Sequence, residues 1–286
     1  MKETINIYNH FHNGDIFYAR VLINALIEKY NVNFYHNLNT PLLSDIDGLT
    51  EIKGVPPNFD IHWSDLNNKN VNSWIGQQNM IFVNTPIPGC SFENYFTLVK
   101  QIISHYGIDI KTDEHFYLPV VNYERIHNYE MINEKMSELK SKYKKIILLS
   151  NGNVNSGQSL NIDLSSLIIN LANTNPNCLF LTTNDIQTEY DNIINTSVLT
   201  NTIPDLLQIS LISTFCDVIV GRASGPYCFT HTKENLLNEN KTYISFSYNP
   251  NEGVWYKGSK AKQLWSPDFN LHTMFLTINN TINNTL

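Results

Sequence analysis

Arginine is almost missing from this chain. Its 286 residues hold 19 Lys plus Arg, and only Arg20, Arg125 and Arg222 are arginines. Against 26 Asp plus Glu they leave a net charge of -7. No basic stripe forms, which argues against a nucleic-acid partner. A phosphate site stays open, because backbone N–H groups and one or two basic side chains suffice to hold a diphosphate. Cysteine is scarce as well. Cys90, Cys178, Cys216 and Cys228 form no CxxC pair and no disulfide framework. Three of them sit in or beside apolar runs and read as free, buried thiols of a reducing compartment. No apolar run approaches the roughly 20 residues that span a bilayer. The amino terminus lacks a signal-peptide pattern, and the expected location is the cytoplasm. No Gly-Lys-Ser/Thr occurs, so there is no P-loop.

What is present is a globular composition, 42% hydrophobic and 16% charged. The length suits two small α/β domains better than one compact domain. Asn and Ile are spread over the whole chain and read as a compositional bias. Ile5 to Tyr8 reads as a buried strand, and Asn9 to Asp15 as a polar loop. Ile16, Ala19, Ile23, Leu26, Ile27 and Tyr30 recur at helical spacing, with Asp15 placed to cap that helix. Val32 to Tyr35 is the next strand, which completes a strand–helix–strand unit of a parallel sheet. A turn-rich stretch follows around Gly48 to Pro57. Met80 to Val83 reads as a strand ended by Pro86 and Pro88, and Phe92 to Tyr106 as a helix closed by Gly107.

After a linker between Lys111 and Ile126, and a charged helix from Glu130 to Tyr143, the pattern restarts. Strands are expected at Ile146 to Leu149, Cys178 to Leu181, Val218 to Val220 and Tyr243 to Phe246. Helices are expected around Leu164 to Leu171 and at Leu206 to Ser213. The domains read as 1–125 on the acceptor side and 126–270 on the donor side. A tail helix, 271–286, is expected to pack back on the first domain. The expected fold is α/β, with two Rossmann-like domains facing a central cleft. Ligands of open parallel sheets bind beyond the carboxyl ends of the strands, and three polar loops lie at such ends.

The first loop is Asn9-His10-Phe11-His12-Asn13-Gly14-Asp15. Gly14 lets the backbone turn into the helix, and Asp15 sits at the mouth of its domain. A carboxylate there can take the proton of an attacking sugar hydroxyl, or it can simply cap the helix. His10, His12, Asn13 and Gly14 would line the acceptor side. The His-x-His-x-x-Asp spacing alone is weak support for a metal, and none is expected. The second loop, Ser150 to Gly157, offers free backbone amides from small residues, Gly152 and Ser156 among them. The third, Gly221-Arg222-Ala223-Ser224-Gly225-Pro226, joins a strand to a helix. There the amides, the Ser224 hydroxyl and the Arg222 guanidinium can hold a diphosphate. Each loop has an ordinary connection as its alternative reading. Gly253 to Gly258, with Trp255, Tyr256, Lys257, Lys260 and Lys262 in or after it, can stack on a base but reads better as a solvated loop. Asp45-Ile46-Asp47 matches a metal-binding Asp-x-Asp only by chance.

Asn13-Gly14-Asp15-Ile16-Phe17, after the first strand, resembles the Gly-Asp-Val-Leu element of lipopolysaccharide heptosyltransferases. Ile203 to Pro226 resembles their carboxyl-half signature of a short helix, an apolar strand and a Ser-Gly-Pro turn. About thirty residues carry the likeness. The resemblance implies a glycosyltransferase B fold, a nucleotide-sugar donor held mainly by the second domain, a hydroxyl-bearing acceptor such as a glycan, inversion at the anomeric carbon and no metal or other cofactor. It also implies that Asp15 is the general base; the leading reading of the loops themselves puts Ser224, Gly225 and Arg222 on the donor diphosphate, helped by Gly152 and Ser156. Ala223 stands where the family usually carries Asp, and the 150–157 loop has no match to its donor-contacting lysine. The resemblance therefore carries no heptose donor. The other readings are a nucleotide-sugar epimerase or hydrolase on the same fold, and a non-catalytic sugar- or nucleotide-binding protein.

Overall fold

The computed structural model describes residues 2–9, 12–38, 42–57, 64–74, 92–201, 205–249 and 256–284. The chain divides into two compact units, Met1–Asn122 and Tyr123–Leu286. The expected strand at 80–83 lies outside the described residues, as do His10, Cys90 and Trp255.

The first unit runs β1 (Thr4–Tyr8), α1 (Asn13–Ile27), β2 (Asn31–His36), β3 (Leu49–Lys53), β4 (Asn70–Asn72) and α2 (Phe92–His105). Its four strands lie parallel in the order β3-β2-β1-β4. Alternation decides the faces. Ile5, Ile7, Val32, Phe34 and Val71 are buried, and the register brings Ile7, Phe34 and Val71 side by side. On the opposite face Asn33 Nδ2 donates to Asn6 Oδ1 (3.2 Å), and Asn6 Nδ2 donates to Asn70 Oδ1 (3.1 Å). Three asparagines that looked like compositional bias thus tie three strands in register. β3 lies in the stretch that reads as turn-rich, and β4 has a single apolar residue, Val71, between two asparagines. β3 has no fully buried position, so no apolar pattern marks it. Gly107 closes α2 as expected, in the left-handed region at φ +63°.

The second unit runs α3 (Tyr129–Lys142), β5 (Lys145–Leu149), α4 (Ser165–Thr174), β6 (Cys178–Thr182), β7 (Ile193–Asn195), α5 (Thr196–Thr200), α6 (Leu206–Thr214), β8 (Val218–Gly221), α7 (Gly225–Cys228), α8 (Lys233–Leu236), β9 (Thr242–Phe246), β10 (Lys262–Ser266) and α9 (Leu271–Asn284). Its six parallel strands follow the order β10-β9-β8-β5-β6-β7, the 3-2-1-4-5-6 order of doubly wound nucleotide-binding sheets. β5, β6, β8 and β9 are buried at every position, which is why they read as unbroken apolar runs.

The tail helix has its apolar stripe inside the second unit. α9 packs within its own unit: Met274, Ile278 and Ile282 join the core that contains Ile147, Leu167, Leu171 and Phe180. Lys145 Nζ donates to the carbonyl of Ile282 at 2.6 Å. The i, i+4, i+8 stripe of α9 finds an apolar partner on α4.

Lysines from distant points of the chain close several helix ends. α1, α6 and α9 have no basic residue in the last turn, and their final carbonyls need donors. Lys2 reaches Ile27 O at 2.9 Å. Lys241 reaches Ser213 O at 2.8 Å and Thr214 O at 2.9 Å, and also Cys216 O. Burial pulls the Lys241 ammonium down to about 8, because a charge in apolar surroundings is costly.

The core of the first unit holds a fully buried ion pair. Arg20 donates to both oxygens of Asp45, at 3.0 and 2.9 Å, and to Val120 O at 2.7 Å, while Asn122 N–H donates to Asp45 Oδ2 at 3.0 Å. Arg20 and Asp45 are essentially unexposed. Asp45 therefore joins α1 to the 120–122 segment. Removing one partner strands a buried charge, which costs about 3–5 kcal/mol. Asp45→Ala should lower unfolding stability by that amount in urea titration, while Arg20→Met with Asp45→Leu should cost clearly less. Equal losses would mean that packing, not charge pairing, sets the value of this contact.

Candidate functional site

In the second unit β5 and β8 are neighbours, and the chain leaves them in opposite directions across the sheet. Their carboxyl ends therefore mark the switch point, where doubly wound sheets bind ligands. The loops after both strands meet there. Ser150 Oγ and Ser224 Oγ lie 2.7 Å apart, and either can donate. One hydroxyl proton of the pair is used between them, which leaves the other for a ligand. Ser224 is the residue before α7, and its side chain makes no capping bond. Gly225 is half-buried and opens that four-residue helix.

Arg222 turns its guanidinium to backbone carbonyls. Its side chain is buried. Nη1 donates to the carbonyls of Leu160 (2.8 Å) and Ile162 (3.4 Å), and Nη2 to those of Gly152 (2.7 Å) and Asn151 (3.3 Å). Both terminal nitrogens thus donate to backbone, while Nε is buried and has no partner among the described residues. Arg222 clamps the 150–162 loop onto the end of β8. Asn151 ties the same loop to the end of β6: its Oδ1 accepts from Asn184 N–H (2.8 Å), and its Nδ2 donates to Asn184 O (3.0 Å). Asn161 closes the loop on itself through both polar groups of Val154, at 2.7 and 3.1 Å. Ser159 Oγ donates to Phe246 O (2.9 Å). Gly152 sits against the Asn184 side chain. Ser156 Oγ is buried and has no partner among the described residues.

Gly221 is set by close approach. A Cβ there would collide with the ring of Tyr227, so only glycine lets α7 fold back on the strand end. Behind it, His231 stacks on Tyr243 with centroids 4.9 Å apart and meets Tyr227 edge-on at 4.7 Å. Burial pulls His231 down to about 4, so its imidazole is neutral at ordinary pH. Tyr243 Oη donates to Thr230 O at 2.6 Å. This buried stack supports the turn that carries Ser224.

In the first unit Asp15 lies just beyond the carboxyl end of β1. The helix starts at Asn13, with His12 as the residue before it. Asp15 is therefore the third residue of α1 and not its cap. Gly14 is helical and buried inside the first turn, so it does not make the turn expected of it. The Asp15 side chain is 19% exposed, with His12 Nδ1 at 4.0 Å. Burial pushes its carboxyl above the ordinary 3.8, against the opposing pull of His12 and of backbone N–H groups. A carboxylate poised in this way is suited to take up a proton. Asn13 is half-buried on the same turn, and His12 is exposed. His10 lies outside the described residues. No group of three or more His, Cys, Asp or Glu that could hold a metal occurs among the described residues.

The structure thus brings Gly152, Ser224 and Gly225 to one place in the second unit, and gathers His12, Asn13, Gly14 and Asp15 in the first. Sequence reasoning included Ser150 and Asn151 in the second loop without giving either a role, and missed Asn161 and the Tyr227–His231–Tyr243 stack. Ser150 follows an apolar strand directly, and that position was its available signal. For the others no local pattern exists, because their partners lie far along the chain. Of the 253–258 candidate, Tyr256 is buried and residues 253–255 lie outside the described residues; Lys262 begins β10.

A scan against protein-family models and a search of curated proteins find no match to the sequence. Solved structures do match over nearly the whole length. Heptosyltransferase WaaC of E. coli, solved with ADP, has a TM-score of 0.58 at 6% identity, covering 99% of this chain and 100% of that one. The glycosyl transferase family 9 protein of Veillonella parvula DSM 2008 has 0.53 at 9%, covering 99% and 90%. The E. coli ADP-heptose lipopolysaccharide heptosyltransferase II has 0.51 at 11%, covering 99% and 99%. At such identities the likeness is one of fold, and the fold of this chain resembles that of the heptosyltransferases.

Proposed function

We propose that this protein is an inverting glycosyltransferase that needs no metal and moves a sugar from a nucleotide-sugar donor to an acceptor hydroxyl. The observation that carries this is Asp15, a carboxylate raised by burial at the start of α1 in a chain with the fold of sugar-transferring enzymes. The donor diphosphate is assigned to the second unit, at the Ser150–Ser224 pair and the amide edge of Gly225, with Gly152 and Ser156 in the clamped loop beside it. The acceptor is assigned to the first unit, with His10, His12, Asn13 and Gly14 around Asp15. Asp15 takes the proton of the acceptor hydroxyl as its oxygen attacks the anomeric carbon. The bond from that carbon to the diphosphate breaks, and the nucleoside diphosphate leaves with the electron pair. Hydroxyl and amide donors facing the diphosphate stabilise the charge that develops on it. Arg222 has no direct contact with the donor in this scheme and acts through the loop it holds.

Asp15→Asn should fold normally and bind donor, yet lose about 10²–10⁴-fold in turnover, because an amide cannot serve as the base. The base must be ionised, so wild-type turnover should fall as pH drops through the Asp15 titration, with that limb above the ordinary 3.8. The measurement is turnover against pH beside the melting temperature. Near-normal turnover in the folded variant would remove Asp15 as the base.

Arg222→Ala should lower both stability and donor affinity, because it unpairs carbonyls across the 150–162 loop. The stability loss should be about 3 kcal/mol, as for a broken buried network. Urea denaturation and calorimetry with a nucleoside diphosphate check this. Lost affinity with unchanged stability would instead make Arg222 a direct ligand.

A further inference from the structure

The second unit carries a cleft of about 460 Å³, lined by Lys142, Tyr143, Asn173, Asn177, Tyr190 and Asp191 among others. These residues end α3 and α4 and precede β5, β6 and β7. The cleft therefore lies at the amino ends of the strands, whereas the Ser150–Ser224 pair lies at the carboxyl ends. Its size falls in the range of small-ligand sites, about 300–1,000 Å³. The protein's own bonds fix its walls. Asn192 also lines the cleft and is buried, and its Nδ2 donates to Ala172 O (3.1 Å) and Cys178 O (3.0 Å). Lys144 N–H donates to Asn177 O (2.9 Å), and Tyr143 Oη to Asp191 O (3.4 Å). Walls preorganised in this way lose little freedom when the cleft is filled. The lining side chains, by contrast, are uncommitted. Asn173, Asn177 and Asp191 are exposed, and their side chains bond no other described residue. Tyr190 is 39% exposed, and its ring meets no other ring or cation among the described residues. Tyr143 differs, because Lys142 Nζ lies 5.3 Å from its ring centroid.

A bare aromatic ring beside amide and carboxylate groups suits one ligand chemistry. One face of a pyranose is lined with C–H bonds, which are weakly positive and match the negative face of an aromatic ring. Its edge carries hydroxyls, each a donor and an acceptor. Asn offers both functions in return, and an ionised Asp accepts only. A diphosphate would instead meet the charge of Asp191. A second cleft of about 200 Å³ shares Pro176 and Asn177 and adds Lys144 and Thr174, so a chain of sugars can continue past the first ring. We propose that this cleft is a glycan-binding site, with one sugar ring stacked on Tyr190 and its hydroxyls on Asn173, Asn177 and Asp191. Binding there stands apart from Asp15. Only its use rests on the transferase reading: the site keeps a glycan acceptor on the protein between turnovers and so raises its effective concentration.

The probes are maltose, lactose and chitobiose, each titrated into the isotope-labelled full chain and followed by NMR. At least one should give saturable shifts in the backbone amides of 142–144, 173–177 and 190–192, with a dissociation constant of about 1 mM. Tyr190→Ala should weaken that binding about five- to ten-fold, while Tyr190→Phe keeps it, because stacking needs the ring and not the hydroxyl. Asn173→Ala, an exposed change on α4, should weaken binding as well, and it decides the matter should Tyr190→Ala not fold. UDP and ADP should leave the three segments unshifted. No saturable shift there with any of the three sugars overturns the proposal, and so does wild-type affinity in the folded alanine variant. Sugar shifts confined to 150–157 and 221–225 overturn it too, because the ligand then sits only at the donor loops. Shifts of the three segments by UDP or ADP would make the cleft a nucleotide site and overturn it equally. Full turnover in Asp15→Asn would remove the base and leave the sugar titration to stand. A flat titration beside an inactive Asp15→Asn removes the glycan site alone.

Discussion

The candidate donor site depends on one buried guanidinium. Arg222 sits at the end of β8 and spends its terminal nitrogens on backbone carbonyls of the loop that follows β5. Desolvation pulls its pKa down, which records the cost of holding that charge away from water. The planar fork offsets the cost because it meets carbonyls on both of its terminal nitrogens, a geometry a lysine cannot copy. A loop of Gly, Ser and Asn would otherwise sample many conformations. Held by Arg222, Asn151 and Asn161, it has a defined path past the Ser150–Ser224 pair.

The first unit solves a related problem in another way. Arg20 is also buried, but it meets the carboxylate of Asp45 and a carbonyl, so charge is neutralised as well as bonded. The lysines that close α1, α6 and α9 extend the same economy of cations. A chain with three arginines and a net charge of -7 places several of its basic groups on helix-end carbonyls, where the macrodipole favours them. Such cations leave no trace in a sequence reading that looks for basic surface patches.

At Asp15 the physics runs the opposite way. The carboxylate is raised by its surroundings, so the folded state is most favoured with Asp15 protonated and loses that advantage as pH rises through the titration. A group that costs stability in its charged form at a helix start beside a strand end is the kind of compromise found where proteins act on a ligand. The neutral His231 and the collision that reserves Gly221 for glycine serve shape alone: they hold the Ser224 turn in place.

Much of the architecture was legible in the sequence. The strands β5, β6, β8 and β9 announce themselves as apolar runs, because strands buried on both faces of a parallel sheet can carry little else, and β1 and β2 show through the apolar residues of their buried face. α1, α2 and α4 show their helical period, and the polar loops after β1, β5 and β8 fall at strand ends. β3, β4 and β10 did not show, because edge and half-exposed strands mix polar with apolar residues and lose the pattern. Asp15, Ser224, Gly225 and Gly152 could be picked out by residue type and position. What Arg222 does could not, since its partners at 151–162 lie some 60 to 70 residues away in the chain, and only the tertiary fold decides whether a guanidinium points to a ligand or to backbone. The destination of α9 was undetermined for the same reason. An amphipathic stripe shows that a helix must bury one face, but the partner surface is made by other segments, here α4 and its core, and exists only once the sheet has formed.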